Sequence, residues 1–229
     1  VRNSSVFLSN CVIWVEWVSD RIYIKKFLEL YQNQDWIKKF EEDKHYSIIE
    51  YWWGNITHFN FWEEENEEKI TIEALTSNNF LIWDNDGENA SEAKKERIKK
   101  FKKEKKDLCW FDIPEIENLL KFETYKKYFD DLNANWNRKW KKKTSYNEIV
   151  FNAEINKKDI WEIMRNVFIE YKTSSWKWYK NFQKINDIKI ICNDKKTFAE
   201  RITDKYLINY SDLSKKAKKL TEKLLWISL

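Results

Sequence analysis

Three short apolar runs, each closed by carboxylates, constrain this chain more than any other feature. Cys11 to Glu16 reads CVIWVE, and Phe80 to Asp86 reads FLIWDND. The third, Leu108 to Phe111 (LCWF), leads through Asp112, Ile113 and Pro114 to Glu115 and Glu117. Runs of this length, rich in β-branched and aromatic residues, form buried strands. Ser47 to Tyr51 (SIIEY) is a fourth strand candidate. Helical patterns lie between them. Ser19 is placed to cap a helix whose apolar positions are Ile22, Ile24, Phe27, Leu28 and Leu30. A strongly charged helix is expected from about Ala90 to Lys106. Another runs from Asp112-Ile113-Pro114 to Leu120, with Pro114 at an early position where it is tolerated. Strands alternating with helices give an α/β fold, a mainly parallel sheet flanked by helices. The C-terminal strand ends of such a sheet share one edge, which is where ligands bind.

The pattern changes after about residue 121. Helices are expected over Glu123 to Leu132, Lys157 to Tyr171, Lys195 to Tyr206 and Asp212 to Trp226, with one more strand at Ile188 to Cys192. The segment Asn133 to Ser145 reads as a basic loop in which Trp136 and Trp140 serve as core or loop anchors. The expected organisation is a catalytic core over 1–125 and a mostly helical C-terminal extension over 126–229, returning to the core near 186–206. A length of 229 residues suits one large domain, or a domain with an appendage.

Composition narrows the class. The 42 Lys and Arg against 38 Asp and Glu give a net charge of +4, too small to specify a nucleic-acid partner unless the basic residues cluster. No apolar run approaches the roughly 18 residues of a membrane span, and the opening VRNSS is unlike a signal peptide. Cys11, Cys109 and Cys192 are far apart and lack CxxC spacing, so reduced thiols in a cytoplasmic protein are expected. His45 and His58 read as structural or surface residues rather than zinc ligands. The chain starts on Val1 rather than Met, which points to an N-terminus lying further upstream.

The acids at the strand ends carry the chemistry. Glu16 and Asp20 follow the first strand, Asp84 and Asp86 close a later one, and Glu115 and Glu117 stand at a third. Carboxylates crowded on one edge repel unless a hard cation sits among them, and oxygen-only ligands suit Mg²⁺ or Mn²⁺. The competing assignments are ordinary ones: solvated turn carboxylates, first-turn acids at Glu115 and Glu117, and an Asp20 that only favours a helix N-terminus.

Glu16-Trp17-Val18-Ser19-Asp20 and Asp84-Asn85-Asp86 resemble the two motifs of the Toprim family, a Glu-Gly-x-x-Asp stretch and an Asp-x-Asp. The surrounding VIWVEWVSDRIYIKKFLELY, IIEYWWGNITHFNF and FLIWDNDGENASEAKKERIKKF are similar to the Toprim part of overcoming-lysogenization-defect (OLD) ATPase-nucleases. DIPEIENLL resembles that family's acid-bearing segment, and NDKKTFAERI a stretch with a functional lysine, which aligns best with Lys196. The resemblance covers residues 1–125, and 186–206 more loosely. It implies a Toprim-like fold and cleavage of DNA phosphodiesters. Glu16, Asp84 and Asp86 would hold the main Mg²⁺ or Mn²⁺, Asp20 with Glu117 or Glu115 a second ion, and Lys196 would neutralise phosphate. It also implies an ATPase domain upstream, because this chain has no GxxxxGK[ST] loop and only Gly54 and Gly87 from which to build one. Assembly into a homo-oligomer stays open.

The chain departs from the family pattern where it places Trp17 after the first Glu, Trp52 and Trp53 where consecutive glycines are expected, and Trp83 before the Asp pair. An indole at position 17 must point away from the cleft or fill part of it. Two alternatives therefore stand beside the nuclease: an inactive Toprim-like module for assembly or regulation, and a piece of another Toprim enzyme such as a primase or topoisomerase.

Overall fold

The computed structural model describes residues 9–34, 37–51, 59–60, 70–71, 78–92, 94–96, 99, 103, 109–131, 140–142, 146–158, 160–167, 169–171 and 195–227. Its centre is a four-stranded sheet of β1 (Cys11–Val15), β2 (Tyr46–Glu50), β5 (Asn79–Asp84) and β6 (Cys109–Ile113), in the order β2-β1-β5-β6. Every pair is parallel, with Ile13 opposite Ile48, Trp14 opposite Leu81, and Asp84 opposite Ile113. All five residues of β1 and all six of β5 are buried, as near-continuous apolar strands covered on both faces must be. Trp14 fits inside because its indole N–H donates to Asn79 Oδ1 at 3.0 Å, joining β1 to β5. Two small ribbons lie outside this sheet. β3 (Phe59–Asn60) pairs in parallel with β4 (Ile70–Thr71), and β7 (Trp140–Lys142) pairs antiparallel with β8 (Ile169–Tyr171).

Helix α1 (Val18–Gln32) follows β1 and buries Tyr23, Ile24, Phe27, Leu28 and Leu30. Its boundary falls two residues earlier than the sequence implies. Trp17, with extended φ −129°, precedes the first turn, and Ser19 lies inside it. The backbone N–H of Trp17 is satisfied by Asp20 Oδ2 at 2.8 Å, so the carboxylate serves the helix start where a Ser19 cap was expected. The expected helix at Pro114–Leu120 is a 3₁₀ turn over Ile116–Leu119.

The later part is helical with interruptions. It comprises α2 (Phe122–Asp131), α3 (Glu148–Glu154), α4 (Ile160–Val167), α5 (Lys195–Lys205) and α6 (Lys215–Ile227). The single helix expected over Lys157 to Tyr171 is replaced by α4 and β8. The sequence IEY (169–171) is taken by β7, so pairing decides its state. Likewise, the segment expected to be a basic loop contributes β7. Within the expected charged helix after Ala90, residues 92, 94–96, 99 and 103 are helical. Trp52, Trp53, Gly54, His58, Trp136, and the expected strand at Ile188 to Cys192 lie outside the described residues.

Helices α5 and α6 both pack on α1. One hydrophobic cluster runs from Ile13 and Phe80 through Tyr125, Phe151 and Met164 to Ile202 and Leu224, so sheet and C-terminal helices share a core. Thr203 and Thr221 are buried within α5 and α6 because each hydroxyl bonds the carbonyl one turn back, at 2.8 and 2.7 Å. Among the described residues no helix is long and apolar enough to cross a membrane.

Candidate functional site

The strand order determines where a ligand can sit. From β1 the chain crosses to β2 on one side, while β5 and β6 extend the sheet on the other. The C-terminal ends of β1 and β5 therefore flank the point where the winding direction changes, and there the flanking crossovers part to leave a crevice. Glu16 follows β1 directly and Asp84 ends β5. Both stand on this edge, as the alternation of strands and helices predicts.

Four carboxylates are drawn together in the low-dielectric crevice. Glu16 is 6%, Asp20 2%, Asp84 4% and Glu117 0% exposed. Burial holds the Asp84 carboxyl well above its usual range, and the charges of Asp20, Glu16 and Glu117 push the same way. Asp20 is raised to about 7 by burial, with Glu16 adding to the shift; the Trp17 N–H, Lys195 and the Ser19 hydroxyl oppose it. The phenol of Tyr51 is also raised, first by burial and then by Glu16, Asp84 and Asp20; it donates to the Ile82 carbonyl at 3.0 Å. Asp84 Oδ1 is buried and has no hydrogen-bond partner among the described residues.

Lys195, not Lys196, meets this cluster. Its ammonium lies 2.8 Å from Glu115 Oε1. Burial lowers its pKa, but Glu117, Glu115 and Asp84 outweigh that and leave it above the usual lysine range. Lys196 is half exposed and pairs along its own helix with Glu200 at 3.7 Å. A sequence signal separates the two. Phe198, Ala199 and Ile202 form the buried face of α5, and Lys195 sits three and four residues before the first two, hence on that face. Lys196 falls at the edge of the stripe, three residues before Ala199 and seven before the buried Thr203.

Asp86 departs from the expected role. The Asp-x-Asp turn does not aim both carboxylates inward. Asp86 adopts φ +55°, its side chain is 44% exposed, and Oδ2 lies 2.7 Å from Lys94 Nζ. Asp86 and Glu115 are thus engaged by lysines, while Glu117 shares the interior with Asp84 and Glu16.

The segment 155–158, with Ile160, buttresses both acid-bearing loops, which sequence reasoning missed. Its Lys157 carbonyl accepts the Glu88 N–H at 2.8 Å beside Gly87. Its Ile155 and Lys158 carbonyls accept from Asn118 Nδ2 at 2.6 and 2.9 Å. The Ile160 N–H reaches Glu115 Oε2 at 3.4 Å. Trp17 is 39% exposed, in extended backbone that any residue adopts.

The donor chemistry of the crevice fits a hard divalent cation. Four of the groups gathered there are carboxylates, with the Lys195 ammonium beside them, and Asp84 Oδ1 is a buried acceptor without a donor among the described residues. The spacing is looser than a finished site. Among the described residues no three Asp, Glu, His or Cys side chains converge closely enough to hold an ion. Set against models of known families, curated proteins and solved structures, the chain matches none of them.

Proposed function

We propose that this chain is a Mg²⁺- or Mn²⁺-dependent phosphodiester-cleaving module acting on DNA, with the Toprim-like arrangement that its two acidic motifs resemble. One observation carries the proposal. Glu16 and Asp84 are buried at the ends of adjacent parallel strands, at the switch point of the sheet, and Asp20 and Glu117 are buried close enough to act on Asp84. So many buried carboxylates are destabilising unless protons or a cation neutralise them.

Asp84 and Glu16 would hold the cation, with Glu117 or Asp20 completing the set after side-chain rotation. A bound divalent ion supplies charge stabilisation for the phosphorane-like transition state and lowers the pKa of a water. Lys195 stands at the rim beside Glu115, where its ammonium can pair with a non-bridging phosphate oxygen. Asp86 anchors Lys94 and keeps the loop after β5 in place. The upstream ATPase that the resemblance implies belongs to the same proposal.

The test is plasmid nicking at low salt with Mg²⁺ or Mn²⁺. The parent is expected to nick weakly, better with Mn²⁺, and less as salt rises. Asp84→Asn abolishes nicking. Equal nicking by Asp84→Asn would refute the assigned site. The inactive assembly module is favoured by one observation, the diversion of Asp86 to Lys94. A parent that binds metal yet cuts nothing would decide for it.

A further inference from the structure

The register of the sheet shows where the acidic crevice opens. β1 and β2 stay paired as far as Val15 opposite Glu50, and β5 and β6 as far as Asp84 opposite Ile113. Between β1 and β5 the ladder stops earlier, at Trp14 opposite Leu81. Each outer pair then continues as a unit. The Asn85 and Asp86 N–H groups donate to the Ile113 and Pro114 carbonyls at 2.7 and 3.0 Å, which ties the end of β5 to β6. The Tyr51 N–H donates to the Val15 carbonyl at 2.8 Å, which ties the end of β1 to β2. Glu16 and Asp84 therefore stand on two separately braced strand ends, with the gap of the switch point between them.

The side chain of Tyr51 crosses that gap. Its N–H is fixed to β1 one residue before Glu16, while its hydroxyl donates to the Ile82 carbonyl on β5 at 3.0 Å, two residues before Asp84. The phenol thus joins the two strands just where their own ladder has stopped. Tyr51 is 3% exposed, so water competes little for the bond. Burial and the charges of Glu16, Asp84 and Asp20 disfavour a phenolate, so the group remains a donor. We infer that Tyr51 is a positioning residue that sets the separation of Glu16 and Asp84, and through it the size of divalent cation the crevice accepts, Mn²⁺ or Mg²⁺ in preference to Ca²⁺. The inference rests on the proposed cation site and assigns its selectivity to a residue outside the carboxylate set.

The physical reason lies in the ions. Mg²⁺ demands near-octahedral oxygens at about 2.0–2.1 Å, whereas Ca²⁺ takes six to eight at about 2.3–2.6 Å in flexible geometry. Ligands held at a fixed short spacing favour the smaller ion, and ligands free to spread adapt to the larger. The Glu16 and Asp84 charges repel each other, so an untied gap relaxes outward. Tyr51→Phe removes the tie while keeping the buried ring, the β1–β2 pairing and the β5–β6 pairing.

The experiment follows free Mn²⁺ by electron paramagnetic resonance as the full chain is titrated, alone and with competing Ca²⁺, in the absence of nucleic acid. The control is Tyr206→Phe, which removes a hydroxyl bonded to Asp131 at 3.1 Å where the ends of α2 and α5 meet. Circular dichroism confirms that each variant is folded. The parent is expected to prefer Mn²⁺. In Tyr51→Phe the ratio of the Ca²⁺ to the Mn²⁺ dissociation constant should fall about fivefold, the factor that one net hydrogen bond can transmit. Tyr206→Phe should leave the ratio within about twofold. Tyr51→p-aminophenylalanine keeps a weaker donor and should give a ratio between parent and Tyr51→Phe; if Tyr51→Phe does not fold, this variant carries the test, and a ratio no lower than the parent's overturns the inference. A lower melting temperature with the ratio unmoved would make Tyr51 merely structural and overturn it, as would an equal shift in Tyr206→Phe or a parent without preference for Mn²⁺. A parent that binds neither ion removes the proposed cation site as well, whereas one that binds Mn²⁺ with a ratio indifferent to Tyr51→Phe removes this inference alone.

Discussion

Gly87→Ala probes whether the loop after β5 is held by its docking on segment 155–158. Gly87 has φ +56°, and an added Cβ would lie 2.2 Å from the Lys157 carbonyl oxygen and 2.9 Å from its carbon. Both are backbone atoms, so no side chain can swing aside. A carbon–oxygen contact needs about 3.3 Å, so the two segments must part by about 1 Å. That movement breaks the Glu88 N–H bond to Lys157, now 2.8 Å, which contributes about 1 kcal/mol. The left-handed backbone adds about 1 kcal/mol for any residue with a Cβ. With the strain of residual overlap, the expected loss is about 2–4 kcal/mol. For a chain of this size that lowers Tm by about 5–15 °C. Thermal unfolding followed by circular dichroism measures it, with calorimetric Mn²⁺ titration as a second readout. Mn²⁺ affinity should fall too, because Asp84 sits at the base of the same loop. A variant melting within about 2 °C of the parent would show that the loop is not docked on Lys157.

Three further outcomes follow from the site. Asp20, raised to about 7, and Asp84, raised well above its usual range, keep protons in the folded state that the unfolded chain releases from its ordinary value of 3.8. Folded protein then binds more protons between about pH 4 and 7, so metal-free stability falls as pH rises through that window. Mg²⁺ replaces the protons, so Tm measured with and without Mg²⁺ should differ more at pH 8 than at pH 5; an equal effect at both would refute the buried-carboxylate argument. Lys195→Met should reduce nicking at least tenfold while Lys196→Met leaves it within twofold, and the reverse result in a nicking assay would restore Lys196. Trp17→Gly should leave nicking within twofold and lower Tm by a few degrees, since glycine adds chain entropy of about 1 kcal/mol to the unfolded state; a large gain in nicking would mean that the indole obstructs the cleft after all.

The strands and the edge they share were legible because both signals are local. CVIWV and FLIW are too short and too apolar for anything but buried strands, and the acids that end them follow in the chain. Parallel pairing then fixes Glu16 and Asp84 on one edge without knowledge of any contact. Helical phase also favours Lys195, which stands at the centre of the face formed by Phe198, Ala199, Ile202 and Thr203, while Lys196 stands at its edge. By contrast, IEY at 169–171 is a strand only because Trp140–Lys142 pairs with it. The turn of Asp86 toward Lys94 follows from a left-handed backbone that the neighbouring chain stabilises. The buttress at 155–158 joins positions as distant as Asn118 and Lys158, or Glu88 and Lys157, through backbone carbonyls that no residue type advertises. Sequence alone thus determined which groups reach the edge, because strand periodicity is short-range. Which of them face inward was decided by tertiary packing, where burial, a positive φ and a neighbouring ammonium compete over a few kcal/mol.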